Sequence, residues 1–471
     1  MQPSHPKILI IGAGPTGLGA AHRLQQLGHD DWMLFEQSGE AGGLARSVTD
    51  EHGFTWDIGG HVQFSHYKRF DNLMDAALGP DGWLHHERES WVRILGVWAP
   101  YPFQNNIHRL PETERQRCIE GLRRAAQRCA PQDGYANFGE LIDDCFGEGV
   151  AALFMRPYNF KVWAYPPEQL GVNWLGERVA HPELEKIERS LQTGEDNVSW
   201  GPNNTFRFPR HGGTGAVWRA VAQGLPQEKL RFNCPVAGID ADKKIVRLEN
   251  GEEHPYDWLI SSMPLDLLIE KARLESLAPH AARLRCSAVH ITGIALKGQP
   301  GPQVNGKCWM YFPESNCPFY RVTVFSNYSP NNVPDIERYW SLMTEVSESP
   351  AKSVDVARVE EDVIQGALNA GLIESRDQVH HTWSIRVGHG YPTPTLGRDE
   401  ALNELLPALE HRGILSRGRF GAWRYEVSNQ DHCMMQGVEA VHRILYGTPE
   451  LTVWFPNIVN NPHPAFSRDW I

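Results

Sequence analysis

The segment KILIIGAGPTGLGAAHRL, beginning at Lys7, limits what this chain can fold into more than any other stretch. Four apolar residues, Ile8 to Ile11, run into Gly12, Gly14 and Gly17, and a helix-compatible run follows. A second apolar run, WMLF, then closes on Glu36. A strand, a glycine turn, a helix and a second strand ending in an acid is the order a dinucleotide site requires. Gly12 makes the tight turn, Gly14 lets backbone approach a pyrophosphate, and Gly17 lets the helix pack on the strand. Pro15 and Thr16 open the helix, whose free N–H groups and partial positive charge favour phosphate. Glu36 can accept a hydrogen bond from a ribose hydroxyl.

The 471 residues suffice for a large core and two or three domains. A net charge of −12 argues against nucleic acid as a partner. The locally basic run ERQRCIEGLRRAAQR reads as a solvated helix face. Eight cysteines with no CxxC pair fit reduced thiols in a cytosolic enzyme, not a disulfide framework or a zinc site, so no metal is expected. The apolar run after Lys7 is the glycine motif itself; no signal peptide, no membrane span and a cytoplasmic location are expected.

Past Glu36, the stretch EAGGLARS carries a second glycine pair, Gly42 and Gly43, followed by Leu44. Such a pair lets backbone lie close to a cofactor. The pattern resembles the large FAD family that includes amine oxidases and protoporphyrinogen oxidase. DWLISSMP reads as that family's second nucleotide-contacting strand, with Val236 matching a cofactor contact upstream of it. NQDHCMMQGVEAVHRI reads as a loop entering a helix whose N-terminus, in the family, faces the flavin pyrimidine edge and stabilises negative charge on the reduced ring. Alone, either segment is equally an ordinary core strand or surface helix. The expected fold is α/β, a Rossmann-like FAD-binding domain interleaved with a helical domain and a mixed or antiparallel sheet domain. The FAD-binding domain is assembled from residues 1–95, 204–268 and 416–447. Residues 96–203 form a mainly helical substrate domain with mobile flaps, 269–415 a sheet-rich substrate domain, and 448–471 a C-terminal tail. Asn250-Gly251, between the alternating runs KIVRLE and EEHPYDWLI, predicts a hairpin turn.

Collinear blocks along nearly the whole chain carry a closer resemblance. They are GGHVQFSHYKRF, PYPFQNNI, LFMRPYNFKVWA, WLGERVA, WGPNNTFRFPRHGGTG, KCWMYFPESNCPFYRVTVFSNYSP, GHGYPTPTLGR and RGRFGAWRYEVSNQDH. In these blocks the chain is similar to UDP-galactopyranose mutases of the eukaryotic type. The resemblance implies interconversion of the pyranose and furanose forms of UDP-galactose, with FAD active when reduced. It implies that flavin N5 attacks the anomeric carbon, displaces UDP and holds the sugar as a covalent adduct while its ring opens and recloses. NADPH or NADH is implied as a transient reductant, although no second nicotinamide-binding unit is visible. The implied partner is a UDP-sugar, and no oligomeric state is implied.

Displacement of UDP develops charge on a diphosphate, so cations and hydroxyl donors should surround it. The matching positions are Arg321, Arg178, Tyr391 and Tyr425. Arg321 lies in an otherwise apolar strand, where pairing with a core acid is the structural alternative. Arg178 lies in a segment resembling a mobile flap, with a surface ion pair as its alternative; the two tyrosines could equally be packed with satisfied hydroxyls. Tyr101, Gln104, Phe154, Asn159 and Tyr311 match the family's uridine pocket, and Trp163 a nearby wall. Asn203, in a second flap, and Asn429, beside the flavin helix, match sugar-side contacts, though Asn203 could be only a turn residue. Trp309 and Phe64 match positions near the substrate. His61 follows Gly59-Gly60 and matches a histidine lying against the isoalloxazine. Arg88, on the substrate side, and Arg419, on the cofactor side, match positions near the flavin and its approach. Gln430 is implied at the flavin helix N-terminus, close to the pyrimidine carbonyls. Cys433 replaces a small hydroxyl residue of the relatives, which changes a local hydrogen bond. Three other readings stay open: a mutase for a different UDP- or dTDP-sugar, an amine-oxidase-like flavin oxidase, and a non-catalytic nucleotide-sugar binder.

Overall fold

The computed structural model describes residues 5–128, 130–198 and 204–461. The motif strand Ile8–Ile11 is wholly buried and lies at the centre of a five-stranded parallel sheet. Its neighbours are Trp32–Phe35 on one side and Trp258–Ser261 on the other. Leu230–Arg231 and Ile414–Ser416 complete the two edges. Buried on both faces, such strands read as continuous apolar runs, which is why ILII and WMLF were legible. The helix Pro15–Gln26 covers one face together with the helix Gln430–Tyr446.

These two helices approach closely because glycines line their contact. A Cβ added at Gly437 would stand 2.0 Å from the Thr16 carbonyl oxygen, and one at Gly19 2.5 Å from the Met434 carbonyl oxygen. The N-terminus of the second helix is thereby held beside the glycine motif of the first, though far apart in sequence.

A seven-stranded mixed sheet forms the second layer. Its order is Val379–Thr393, Arg285–Lys297, Tyr339–Glu348, Arg321–Val324, Trp309–Tyr311, Ser90–Ile94 and Val97–Pro100. All pairings are antiparallel except that of Trp309–Tyr311 with Ser90–Ile94. Asn250-Gly251 lies at the turn between the antiparallel strands Ile245–Leu248 and Glu253–Pro255. The later part of that sequence run, Trp258–Ser261, belongs instead to the parallel sheet.

Helices between Glu112 and Thr193 build an apolar cluster with the strands Ser90–Ile94 and Val97–Pro100. Two stretches cross the divisions read from the sequence. Ser90–Ile94 lies before the expected boundary at residue 95 yet pairs with Trp309–Tyr311 in the seven-stranded sheet. The helix Arg398–Glu410 lies before the boundary at 416, yet its Leu402, Leu405 and Leu409 pack with Leu9 and Leu259 against the parallel sheet. Both are cases in which side-chain burial, not chain order, decides the partner. Among the described residues no helix is long and apolar enough to cross a membrane.

Candidate functional site

The glycine motif forms the first wall. Gly12 has φ +100° and donates its N–H to Phe35 O at 2.8 Å, closing the turn expected of it. A Cβ at Gly17 would lie 1.9 Å from the Gly12 carbonyl oxygen, so helix and strand could not otherwise touch. Gly14 is different: an added Cβ there meets only Gly43 Cα at 3.8 Å and Gly42 O at 3.9 Å, which is ordinary contact. Nothing in the protein forbids a side chain at Gly14, so its smoothness serves whatever lies against the loop.

Gly42, with φ +118°, donates to Ala13 O at 2.8 Å, and Gly43 has φ +56°; together they bring the second glycine pair onto the first. Leu44 follows in the short turn Gly43–Ala45. Glu36 is buried and turned back onto the motif. One carboxylate oxygen accepts from Ala13 N at 2.8 Å, the other from Ser38 N at 2.8 Å and Ser38 Oγ at 2.7 Å. The oxygen bonded to Ala13 N can still accept one further bond, so a ribose hydroxyl remains compatible. Val236 lies on the strand Val236–Asp240, next to a register shift in its pairing with Leu248.

The helix Gln430–Tyr446 starts at Asn429, whose side chain makes no capping bond. Its first-turn N–H groups and positive dipole end therefore stay available to an anionic group. Gln430 Oε1 is fixed by Trp218 Nε1 at 2.6 Å and Gln63 Nε2 at 3.1 Å. That leaves its NH₂ as the free end, the polarity needed to donate to pyrimidine carbonyls. Cys433 is buried, its thiol pushed up to about 12 chiefly by desolvation, and it donates to Ser428 O at 3.5 Å. The residues present thus form a cradle for a dinucleotide with a ring at its far end.

The second wall comes from the seven-stranded sheet. Arg321 opens its strand beside Glu345 and donates to it three times, Nε to Oε1 at 2.9 Å, Nη2 to Oε1 at 2.6 Å and Nη2 to Oε2 at 2.9 Å. The alternative of a core acid partner for Arg321 is therefore realised, in Glu345. Nη1 makes no bond to another described residue, and the charge of Arg321 reaches the hydroxyls of Tyr311, Tyr158 and Tyr391. Glu345 also accepts from Gly60 N at 3.0 Å and from Tyr320 Oη at 2.5 Å, which ties the His61 loop to the same point. Burial, reinforced by Arg419 and Arg321, lowers the His61 imidazole to about 4, so it is neutral at physiological pH. Its Nδ1 is buried without a partner. Phe64, on the same loop, packs edge-on against His66 at 5.8 Å.

Arg178 reaches across to the start of the helix Gln430–Tyr446, donating to Asn429 Oδ1 at 3.1 Å and to Glu426 O at 3.0 Å. Its guanidinium also lies 5.3 Å from the Tyr425 ring centre, and its Nε is buried without a partner. Trp163 packs edge-to-face on Tyr425 at 4.7 Å and on Tyr391 at 5.9 Å. Arg419 lies 4.9 Å from the Tyr391 ring centre and ties Gly390 O to Ser428 Oγ, at 3.1 and 2.9 Å.

An aromatic recess continues from Arg321. Tyr101 packs on Tyr311 at 5.0 Å, Tyr311 on Tyr158 at 5.5 Å, and Tyr158 stacks on Phe154 at 4.9 Å. Trp309 stands behind this wall, its Nε1 donating to Tyr311 Oη at 2.5 Å. Arg88 lies 5.9 Å from the Tyr101 ring centre, so it sits at this recess. Gln104 donates Nε2 to Ala180 O at 2.5 Å while its Oε1 is buried without a partner. Asn159 donates to Met155 O at 2.7 Å. Asn203 lies outside the described residues.

A cleft of about 700 Å³ lined by Leu153, Phe160, Lys161, Cys317 and Lys352 holds none of these residues. A smaller cleft of about 300 Å³ includes Arg178 and Glu426. Converging cations, hydroxyls and an orphaned amide oxygen mark the site. The sequence reading missed Glu345, Tyr158, Tyr320 and Trp218; only Glu345, an acid inside the apolar run WSLMTEVSE, left a signal.

Comparison with known proteins agrees with this geometry. The model of the family of flavin containing amine oxidoreductases matches residues 15–295, more than half of the chain. The solved structure of a reduced UDP-galactopyranose mutase is 50% identical, with a TM-score of 0.94, covering 97% of each chain. A putative protoporphyrinogen oxidase from Exiguobacterium sp. 255-15 shares the fold, at 16% identity and TM-score 0.70 over 94% of this chain and 99% of that one. A Baeyer-Villiger monooxygenase of Pseudomonas aeruginosa is 45% identical over 58 residues, only 12% of this chain and 11% of that protein. The glycine cradle, the uncapped helix facing it and the end-to-end match at half identity lead to one assignment: the chain belongs to the flavin-containing amine oxidoreductases and, within them, to the UDP-galactopyranose mutase family.

Proposed function

We propose that the protein interconverts UDP-galactopyranose and UDP-galactofuranose with a reduced FAD held in the glycine cradle. The carrying observation is the pairing of that cradle with a recess that offers aromatic faces and an unpartnered amide oxygen, with Arg321 and Arg178 each beside its tyrosines. Gly12, Gly14, Gly42, Gly43 and Glu36 hold the dinucleotide, and the N-terminus of the helix Gln430–Tyr446 faces the ring. When bound and reduced, the flavin supplies the nucleophile for the anomeric carbon.

The chain's own residues do the rest. Tyr101, Tyr311 and Phe154 form apolar faces for a uracil ring, and Gln104 Oε1 is placed to accept from a uracil N–H. Arg321 presents its unengaged Nη1 to the diphosphate, with Glu345 fixing the guanidinium plane. Arg178, Tyr391 and Tyr425 close around the same group, so charge that develops as UDP leaves meets fixed cations and donors in a site poor in water. Neutral His61 adds no positive charge beside the ring and keeps one nitrogen free for a proton or an acceptor. Asn429, bonded to Arg178, links the flap to the sugar side. NADPH or NADH, as transient reductant, would enter through the same cleft.

The test is product analysis by anion-exchange chromatography after incubating the yellow protein with UDP-galactofuranose, with and without dithionite. Conversion to UDP-galactopyranose only in the reduced sample is the expected result. No conversion in either state, with flavin bound and reducible, would reject this substrate.

A further inference from the structure

Three imidazoles meet away from the flavin cleft, where the hairpin Ser47–Thr49 and Thr55–Asp57 touches the edge strand Val379–Thr393. His52, His380 and His381 each offer a ring nitrogen within 4.8 Å of the others. The ring centres are 4.2 Å apart for His52 and His381, 5.5 Å for His52 and His380, and 5.2 Å for His380 and His381.

Neighbouring residues on a regular strand point to opposite faces, so two consecutive histidines should not converge. They do here because the register slips: Ala295 pairs with His381 and Leu296 with Val379, leaving His380 as the extra residue of a β-bulge. A bulge re-aims the side chains beside it. His52 is set from the other side by a tight turn in which Asp50 Oδ1 accepts His52 N and Phe54 N, both at 3.0 Å.

The same aspartate continues behind the imidazoles. Asp50 Oδ2 accepts from Trp56 Nε1 at 2.7 Å and lies 2.8 Å from His381 Nε2. His381 Nδ1 is buried and unpartnered. A carboxylate on one imidazole nitrogen fixes the tautomer, leaving the lone pair on the other and raising its basicity. That is the arrangement that orients metal-bound histidines.

We infer that His52, His380 and His381 form a binding site for a divalent transition-metal ion of the zinc class, with Asp50 as the carboxylate behind His381. Three neutral nitrogen donors suit zinc, nickel or copper and do not suit calcium or magnesium, which require oxygen ligands. Three protein ligands leave a fourth position to water. The ion would staple the hairpin of the flavin half to the edge of the seven-stranded sheet.

The test uses the untagged, chelator-treated holoenzyme and zinc chloride followed by calorimetry, with His52→Ala and His380→Ala as variants. Both positions lie in a surface turn or a bulge, so both variants should fold and keep turnover of UDP-galactofuranose. The expected result is saturable one-to-one binding that each variant weakens at least about tenfold. Zinc should also raise the melting midpoint of the parent protein and not of the variants. Equal zinc affinity in parent and His52→Ala, or no saturable binding by the parent, would overturn the site.

Discussion

Glu345 holds Arg321 by its guanidinium, Nη2 to Oε1 at 2.6 Å, and through the same carboxylate accepts Gly60 N and Tyr320 Oη. Glu345 is buried and Arg321 partly so, which makes the pair a positioning device linking the His61 loop to the wall that carries Arg321. Replacing Arg321 with Ala should lower kcat/KM by on the order of 10² or more, since a fixed cation facing developing charge is lost. Glu345→Gln keeps the shape but removes the charge that fixes the guanidinium. It should lower kcat/KM by roughly tenfold to a hundredfold and add little once Arg321 is already Ala. Full additivity of the two changes in steady-state rates would show that they act separately.

Gly14 and Gly17 separate cofactor approach from folding. Gly14→Ala adds a Cβ that the protein accommodates, so the variant should be folded, with a parent-like melting profile once flavin is stripped from both. Its flavin content should fall at least about tenfold, because the added carbon occupies the approach to the pyrophosphate. Gly17→Ala places its Cβ 1.9 Å from a carbonyl oxygen and should lose about 3 kcal/mol or more of stability. Flavin absorbance per protein and chemical denaturation of both variants decide it; a fully yellow Gly14→Ala protein contradicts the cradle.

His61 should not titrate in the working pH range. Its imidazole is held at about 4 against an ordinary 6.5, so an unfolded chain takes up the proton well before the native one does. The linkage sign follows: the stability tied to this group is present above pH 6.5 and is lost as pH falls toward 4. His442, also lowered to about 4 by burial, shares that direction. His61→Asn should therefore reduce the loss of stability between about pH 7 and pH 5 without abolishing it. Denaturant midpoints at the two pH values measure this, and an unchanged difference would place the His61 proton elsewhere.

Much of the cofactor half was legible because its signals are local. The glycines of the motif, the acid ending WMLF and the pair Gly42-Gly43 each answer a backbone requirement visible in a few residues. The contacts that position the substrate wall are not local. Glu345 and Arg321 meet because two strands pair, and Tyr158 enters the recess because a helix crosses the sheet. His52 and His380 are brought together by a register slip that no periodicity announces. The close contact of Gly19 and Gly437 with the facing helix likewise follows from tertiary packing, although it fixes where the helix Gln430–Tyr446 lies against the glycine motif.

Gln104 tests the base end of the recess. Its Nε2 is engaged by Ala180 O while Oε1 is buried and unpartnered, an unfavourable state unless a ligand donor completes it. Gln104→Leu keeps the bulk of this buried side chain but removes that acceptor. KM for the UDP-sugar should rise about tenfold, and free UDP should bind weaker by the same factor, with kcat within about twofold, because the contact is equal in ground and transition states. Stability should fall by only about 1 kcal/mol, the cost of leaving the Ala180 carbonyl without its donor. Steady-state kinetics and UDP titration of the oxidised protein give both numbers. A fall in kcat with KM and UDP affinity unchanged would move Gln104 from base recognition to the chemistry of the sugar.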